Sequence, residues 1–135
     1  MNRSVDPPSP VRVLLVEDYL DLAEATAEFL MLEGFDVRIA TSGAQALKMA
    51  PAWRPQLLLC DLNLPDISGL DVIRTLQSSP ATERPYAVIL TAMATGALSA
   101  GLPGVDAIVS KPLTLEAIRT LKEKVGDLTA FRDEP

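Results

Sequence analysis

Polar side chains follow four short apolar runs of this chain, at the points where predicted strands end. Glu17 and Asp18 follow the first run, Asp61 the second, Thr91 the third and Lys111 the fourth. In an open α/β sheet, ligands bind beyond the carboxyl ends of the strands, and neighbouring strands lie about 4.8 Å apart. If the four strands are adjacent, these side chains share a pocket on the order of 10 Å across. The sequence therefore predicts one polar site.

The charges of this predicted site indicate a hard divalent cation. Three carboxylates against one ammonium group leave a net charge of −2, which is costly in a confined site unless a cation joins them. Carboxylates and a main-chain carbonyl are ligands that suit Mg²⁺. The chain has no histidine and one cysteine, so zinc is a poor alternative. We therefore predict Mg²⁺.

The same residue types suit the acceptance of a phosphoryl group. Asp61 could attack phosphorus in line, Thr91 could hydrogen-bond one phosphoryl oxygen, and the cation with Lys111 could neutralise the others. Each residue also has an ordinary structural interpretation: Asp18 as a helix N-cap, Thr91 as a strand former and Lys111 as a surface charge. Their joint placement at four strand ends favours the functional interpretation.

The elements that must position these residues alternate between β-rich runs and helical spacing, which predicts βα units on a parallel sheet. The predicted strands are 11–16, 35–40, 56–60, 86–90 and 106–109. The predicted helices are 19–33, 43–50, 69–78, a short one at 93–100, and a final helix that Thr114 caps. Gly34 stands where a left-handed cap is expected after the first helix.

The second predicted helix has clear signals at both ends. Ser42 suits its N-cap, and Pro51 and Pro55 are expected to stop it near Ala50. Its inward face is expected to carry Ala44, Leu47 and Ala50.

The composition indicates one globular domain. Of 135 residues, 48% are hydrophobic and 22% charged, and we expect a domain at 11–126, a flexible extension at 1–10 and a tail at 127–135. No apolar run approaches the roughly 18 residues of a membrane helix, and the N-terminus lacks a signal core, which predicts a cytoplasmic protein. The net charge of −6 disfavours nucleic acid binding. Cys60 is expected in the core.

The segments VLLVED, LLLCDLNLPDISGLDVI, VILTA and VSKP occur in an order and at intervals typical of one family. On these segments the chain closely resembles the receiver domain of two-component response regulators, across nearly its whole length. The resemblance implies a flavodoxin-like, doubly wound α/β fold with a five-stranded parallel sheet of order 2-1-3-4-5. The uncharged segment 93–104, with three glycines, departs from the family's amphipathic fourth helix and predicts a short or irregular one.

The resemblance also implies roles for the site residues. Asp61 would be phosphorylated, Thr91 and Lys111 would contact the phosphoryl group, and the peptide bond between Lys111 and Pro112 would be cis. The implied Mg²⁺ site consists of Asp18, Asp61 and the backbone carbonyl of Asn63, with Glu17 nearby.

The family's phosphoryl donor is a histidine of a separate sensor histidine kinase or histidine phosphotransfer protein, and this chain has no histidine. We expect a single-domain switch that signals by contact with a downstream protein, without nucleic acid or membrane binding, and a homodimer is left open. Ile108 stands where the family usually has Tyr or Phe, so the aromatic part of the switch does not carry over. We expect 93–104 to form a mobile or partner-covered apolar surface.

Two other classes of function compete with a phosphorylation switch. A constitutive interaction module would keep the pocket without being switched, and Ile108 favours it, whereas the intact acidic pocket argues against it. A phosphatase with an aspartyl nucleophile would need a second acidic residue two positions later, where Asn63 stands. We therefore expect a signalling protein rather than an enzyme, one that takes part in phosphoryl transfer to itself and in its own dephosphorylation.

Overall fold

The chain folds as alternating strands and helices. The computed structural model describes residues 9–79, 84–92 and 102–132. Each predicted strand is confirmed, with ends that differ by one residue at most. The elements in chain order are β1 (Arg12–Val16), α1 (Leu20–Leu32), β2 (Asp36–Ala40), α2 (Gly43–Trp53), β3 (Leu57–Asp61), α3 (Gly69–Ser78), β4 (Tyr86–Thr91), β5 (Ala107–Ser110) and α4 (Leu115–Arg132).

The five strands form one parallel sheet in the order β2-β1-β3-β4-β5. This order confirms the doubly wound, flavodoxin-like fold. The register pairs Asp61 with Leu90 and Thr91 with Ser110, so the carboxyl ends of β3, β4 and β5 are level. The chain changes direction across the sheet between β1 and β3, which is where open α/β sheets bind their ligands.

Apolar side chains cover both faces of the sheet. Because successive residues of a strand point to opposite faces, Leu14 and Leu58 lie in the cluster beneath α2 and α3, and Leu15 and Leu59 in the cluster beneath α1 and α4. Full burial of one such leucine stabilises the fold by about 1.5–3 kcal/mol. Cys60 is buried as predicted, and burial raises the pKa of its thiol. Packing on both faces fixes the strands whose ends carry the site.

The predicted caps of α1 and α2 are confirmed. Gly34 follows α1 with a φ of +94°, and the Ser42 hydroxyl accepts a hydrogen bond from Gln45 N at 3.1 Å. The predicted inward face of α2 was wrong in its first turn, because Ala44 is exposed and Ala46 is buried. Ala46 stands three residues after the buried first residue of α2, on the same face of the helix.

The prediction that Pro51 ends α2 near Ala50 was also wrong. The helix continues to Trp53, and the next residue, Arg54, closes it in a left-handed conformation with a φ of 56°. A proline within a helix removes one backbone hydrogen bond. The indole N–H of Trp53 donates to Val13 O at 2.9 Å, which anchors the last turn to β1 and offsets this loss.

Helix α4 extends past residue 126, where the domain was predicted to end. It begins after Thr114, whose hydroxyl accepts a hydrogen bond from Ala117 N at 3.1 Å, and it ends at Arg132. It therefore enters the segment 127–135 that was predicted as a tail. The division of the chain into an extension, a domain and a tail stays a prediction.

The short helix predicted at 93–100 lies outside the described residues, as does most of the apolar surface predicted at 93–104. None of the helices within the described ranges is both long and apolar enough to cross a bilayer.

Candidate functional site

The ends of four neighbouring strands bring the predicted polar residues together. Glu17 directly follows β1, Asp61 ends β3 and Thr91 ends β4. These three side chains are buried, with exposed fractions of 4%, 8% and 6%. Lys111 directly follows β5, and its backbone N–H donates to Thr91 O at 2.9 Å. The sheet therefore groups the residues that the sequence predicted to form one site.

Lys111 connects the two buried carboxylates. Its Nζ lies 3.1 Å from Glu17 Oε1 and 3.2 Å from Asp61 Oδ2. Burial alone would lower the pKa of Lys111, but the hydrogen bonds with Glu17 and Asp61 outweigh burial and raise the pKa above its ordinary value. Lys111 is therefore an ammonium group at neutral pH. Its peptide bond to Pro112 is cis, as the resemblance implied.

Glu17, Asp18 and Asp61 form an acidic cluster beside this ammonium group. One carboxylate oxygen of each lies within 4.8 Å of the others. Glu17 Oε2 is buried and has no hydrogen-bond partner among the described residues, whereas Asp18 is exposed. Burial first, and then the neighbouring Asp61 carboxyl group, raise the pKa of Glu17 to about 7, although Lys111 acts in the opposite direction. Grouped carboxylate oxygens with an unsatisfied buried member are a donor set that fits Mg²⁺.

The raised pKa of Glu17 predicts how the stability of the metal-free protein depends on pH. A carboxyl group whose pKa is higher in the folded protein than in the unfolded chain stabilises the fold at pH values below the unfolded pKa. This stabilisation is lost as the pH rises through the folded pKa. For Glu17 the pKa rises from 4.5 to about 7 on folding. Without divalent cations, we expect the free energy of unfolding to decrease between about pH 5 and about pH 8, and to decrease less in Glu17→Gln. Denaturant unfolding at both pH values measures this, and equal decreases in the two proteins would contradict it.

Asn63 lies on the loop between β3 and α3, residues 62–68. The loop closes at its base, where Gly69 N donates to Leu62 O at 2.9 Å and Asn63 forms an antiparallel bridge with Ser68. The side chain of Asn63 is exposed. A role for its backbone carbonyl in holding Mg²⁺ stays a prediction.

Gly69 is a site residue that sequence reasoning missed. A Cβ atom at this position would collide with the backbone carbonyl oxygen of Asp61 and lie 3.2 Å from Cys60 Sγ. Without a side chain there, α3 can begin directly against the end of β3. The glycine itself was the signal that could have identified this position. Glycine lowers the stability of a helix by about 1 kcal/mol relative to alanine, so a glycine in a predicted helix suggests that a side chain has no room there.

Ile108 lies on β5 and pairs in register with Ile89 of β4. Its side chain is half-buried and packs against the apolar cluster beneath α2 and α3. An aliphatic side chain at this position has no ring to turn and no hydroxyl to form a hydrogen bond.

Known proteins match this chain over most of its length. A family model described as "Response regulator receiver domain" matches residues 13–123. The "Probable transcriptional regulatory protein TcrX" of Mycobacterium tuberculosis is 37% identical over 128 residues, which cover 89% of this chain and 53% of that protein. This chain spans about half the length of the curated relatives it matches.

Solved structures share the architecture. A response regulator receiver domain (CheY-like) from Methylobacillus flagellatus has a TM-score of 0.78 at 27% identity, covering 87% of this chain and 99% of that one. A response regulator from Burkholderia pseudomallei, solved with a phosphorylated aspartic acid, calcium ion and citrate, has a TM-score of 0.73 at 28% identity, covering 91% of this chain and 73% of that one.

Proposed function

This chain belongs to the family of response regulator receiver domains, and we propose that it is a signalling switch activated by phosphorylation of Asp61. The observation that carries the proposal is the position of Lys111 Nζ, 3.1 Å from Glu17 and 3.2 Å from Asp61. A buried carboxylate beside a fixed positive charge is suited to accept a phosphoryl group. The similar protein from B. pseudomallei contains a phosphorylated aspartic acid, which supports the proposal.

The proposed donor is a phosphorylated histidine of a sensor histidine kinase or histidine phosphotransfer protein. A carboxylate oxygen of Asp61 forms the new bond to phosphorus, the phosphorus–nitrogen bond of the donor breaks, and the imidazole nitrogen keeps the electron pair and takes up a proton. Lys111 neutralises charge on one phosphoryl oxygen, and the Thr91 hydroxyl donates a hydrogen bond to another. Hydrolysis by water releases inorganic phosphate and restores the Asp61 carboxylate.

The proposed Mg²⁺ ligands are Asp18, Asp61 and the backbone carbonyl of Asn63, with Glu17 close by. When bound, Mg²⁺ supplies positive charge that stabilises the phosphoryl oxygens during transfer. The grouping of the three acidic side chains supports this ligand set, as does the buried Glu17 Oε2, to which the described part of the chain offers no hydrogen-bond partner.

Lys111→Met is expected to raise the affinity of the chain for Mg²⁺ and to lower its affinity for beryllium fluoride. Loss of the ammonium group removes a competitor for Glu17 and Asp61, so Mg²⁺ should bind more tightly. Beryllium fluoride, which mimics the phosphoryl group, loses a charge-assisted contact and should bind about 10- to 100-fold more weakly, on the scale of 1.5–3 kcal/mol for such contacts.

Calorimetric titration with Mg²⁺ and fluorine NMR of the beryllium fluoride complex measure the two affinities of Lys111→Met. Lys48→Met removes an exposed lysine of α2 and is expected to change neither. Weaker Mg²⁺ binding by Lys111→Met would contradict the arrangement proposed for the site.

Labelling with a small phosphodonor tests the proposed function. We expect acetyl phosphate to attach one phosphoryl group to the wild-type chain in the presence of Mg²⁺ and none after Mg²⁺ is chelated. Intact-protein mass spectrometry measures the adduct. Hydroxylamine should remove it, because an acyl phosphate is a mixed anhydride whose acyl carbon hydroxylamine attacks, with inorganic phosphate as the leaving group. Failure of the Mg²⁺-loaded chain to react with acetyl phosphate and to bind beryllium fluoride would contradict the proposal.

A second candidate function is a constitutive receiver-like module, and Ile108 is the residue that favours it. Amide chemical shifts with and without beryllium fluoride separate the two candidates. Shift changes that extend along β4, β5 and α4 would support a switch. Changes confined to residues around Asp61 would support the constitutive module.

The partners of the chain are proposals as well. We propose a histidine-containing donor and a downstream protein target, and a homodimer is one form that the target contact can take. The curated relatives are about twice as long as this chain and include proteins named as transcriptional or DNA-binding regulators. The absence of direct nucleic acid and membrane binding, the single-domain character and the cytoplasmic location therefore stay predictions.

A further inference from the structure

We propose that Asp66 positions the loop 62–68, and with it the backbone carbonyl of Asn63, by fixing the loop to the start of α2. The inference deepens the proposed function, on which it rests for the metal site. Asp66 Oδ1 accepts a hydrogen bond from Gly43 N at 2.9 Å, and Asp66 Oδ2 accepts one from Ala44 N at 2.8 Å. Both carboxylate oxygens of a loop residue thus bind the first two residues of a helix from another part of the chain.

The base of the same loop is fixed to the sheet. Leu62 N donates to Leu90 O of β4 at 3.1 Å, and Gly69 N donates back to Leu62 O at 2.9 Å. Asn63 lies between this base and the contact that Asp66 makes with α2. A short segment held at both ends has few alternative conformations, so the position of the Asn63 carbonyl depends on both attachments.

The loop also approaches α2 too closely for a side chain at Gly43. A Cβ atom there would collide with Ile67 Cγ1 and would lie 2.7 Å from Ile67 Cδ1 and 3.1 Å from Val72 Cγ2. Ile67 packs against the apolar cluster beneath α2 and α3. The contact therefore combines two hydrogen bonds from Asp66 with apolar packing next to them.

The role of Asp66 goes beyond that of a helix cap, because α2 has a cap of its own. The hydroxyl of Ser42 accepts a hydrogen bond from Gln45 N, within the same segment of the chain. Asp66 reaches the helix from the β3–α3 loop, so its two bonds hold two elements at a fixed separation. The amides of Ala44 and Gly43 also keep the pKa of Asp66 below its ordinary value, so the carboxylate is charged at neutral pH.

This difference provides a matched pair of variants. Ser42→Ala and Asp66→Ala each remove hydrogen bonds from the start of α2, and both are expected to lower the midpoint of denaturant unfolding. Only Asp66→Ala removes hydrogen bonds that fix the loop 62–68 to α2. We expect it to raise the dissociation constant for Mg²⁺ about 10-fold, as removal of groups that orient metal ligands does, while Ser42→Ala leaves that constant unchanged.

A second readout needs no metal. Amide hydrogen exchange of residues 63, 64 and 66–68 in the metal-free protein is expected to become faster in Asp66→Ala and to stay unchanged in Ser42→Ala. Asp66→Asn retains one carbonyl acceptor and is expected to give intermediate values of both the exchange rates and the Mg²⁺ affinity. It also provides the comparison if Asp66→Ala does not fold.

The possible results separate this inference from the proposed function. Wild-type binding of Mg²⁺ and beryllium fluoride, together with equal Mg²⁺ affinities and equal exchange rates in the Asp66 and Ser42 variants, would overturn the inference alone. A wild-type chain that binds neither ligand would overturn the proposed function, and the positioning role of Asp66 would fall with it.

Discussion

Asp61→Asn is expected to abolish phosphorylation by acetyl phosphate. The substitution keeps the size of the side chain but replaces a charged oxygen with an amide, whose nitrogen is not nucleophilic. Asp61 is buried next to Lys111, so few other groups are placed to replace it. We expect the initial rate of adduct formation to decrease at least about 1,000-fold, the scale seen when a nucleophile is removed from other active sites. Intact-protein mass spectrometry over time measures this rate.

Asp71→Asn is the matched control for this prediction. Asp71 is an exposed aspartate of α3 that lies 3.6 Å from Arg74, with both side chains more than half exposed. The same chemical change at this position is expected to leave the phosphorylation rate at the wild-type value. Comparable labelling of Asp61→Asn and Asp71→Asn would show that the phosphoryl group is attached elsewhere.

Gly69→Ala is expected to destabilise the fold and disturb the site at the same time. The added Cβ atom would collide with the carbonyl oxygen of Asp61, and a backbone atom cannot turn aside as a flexible side chain does. Relief requires a shift of the start of α3 or of the end of β3, which carries Asp61. Overpacking of this kind costs typically about 1–3 kcal/mol, and we expect a loss of at least that size with slower phosphorylation.

Gly126→Ala is the matched control for Gly69→Ala, and we expect it to stabilise the fold rather than destabilise it. Gly126 lies within α4, and a Cβ atom there would meet no atom of the residues that the structure describes within 4 Å. Alanine is a better helix former than glycine, so we expect stabilisation by about 1 kcal/mol and an unchanged phosphorylation rate. Denaturant unfolding of the two variants measures both changes in the free energy of unfolding. Stabilisation by Gly69→Ala would contradict the steric role of that glycine.

The strands and the main site residues were predictable because they depend on local pattern. Apolar runs that end at Asp61 and Thr91 indicate buried strands with polar ends, and parallel strands of one sheet bring such ends to the same edge. The order of the sheet came from the family resemblance, which the structure confirms. The grouping of Glu17, Asp61 and Lys111 follows from these two facts together.

Contacts between distant segments explain what the sequence did not predict. The continuation of α2 beyond Pro51 depends on Trp53, whose indole group binds a β1 carbonyl 40 residues earlier in the chain. Asp66 binds the start of α2 at Gly43 and Ala44, which precede it in the chain by 23 and 22 residues. Local spacing carries no information on such pairs, because a proline, a tryptophan or an aspartate has the same local preferences whether or not a distant partner is present.

The central claim is that Asp61 carries the phosphoryl group, and chemical identification of the modified residue tests it most directly. Borohydride reduces an aspartyl phosphate to homoserine, which peptide mass spectrometry can locate. After treatment of the wild-type chain with acetyl phosphate and Mg²⁺, we predict homoserine in place of Asp61 and unmodified aspartate at Asp18 and Asp66. An intact Asp61 in a phosphorylated chain, with the modification at another residue, would contradict the claim.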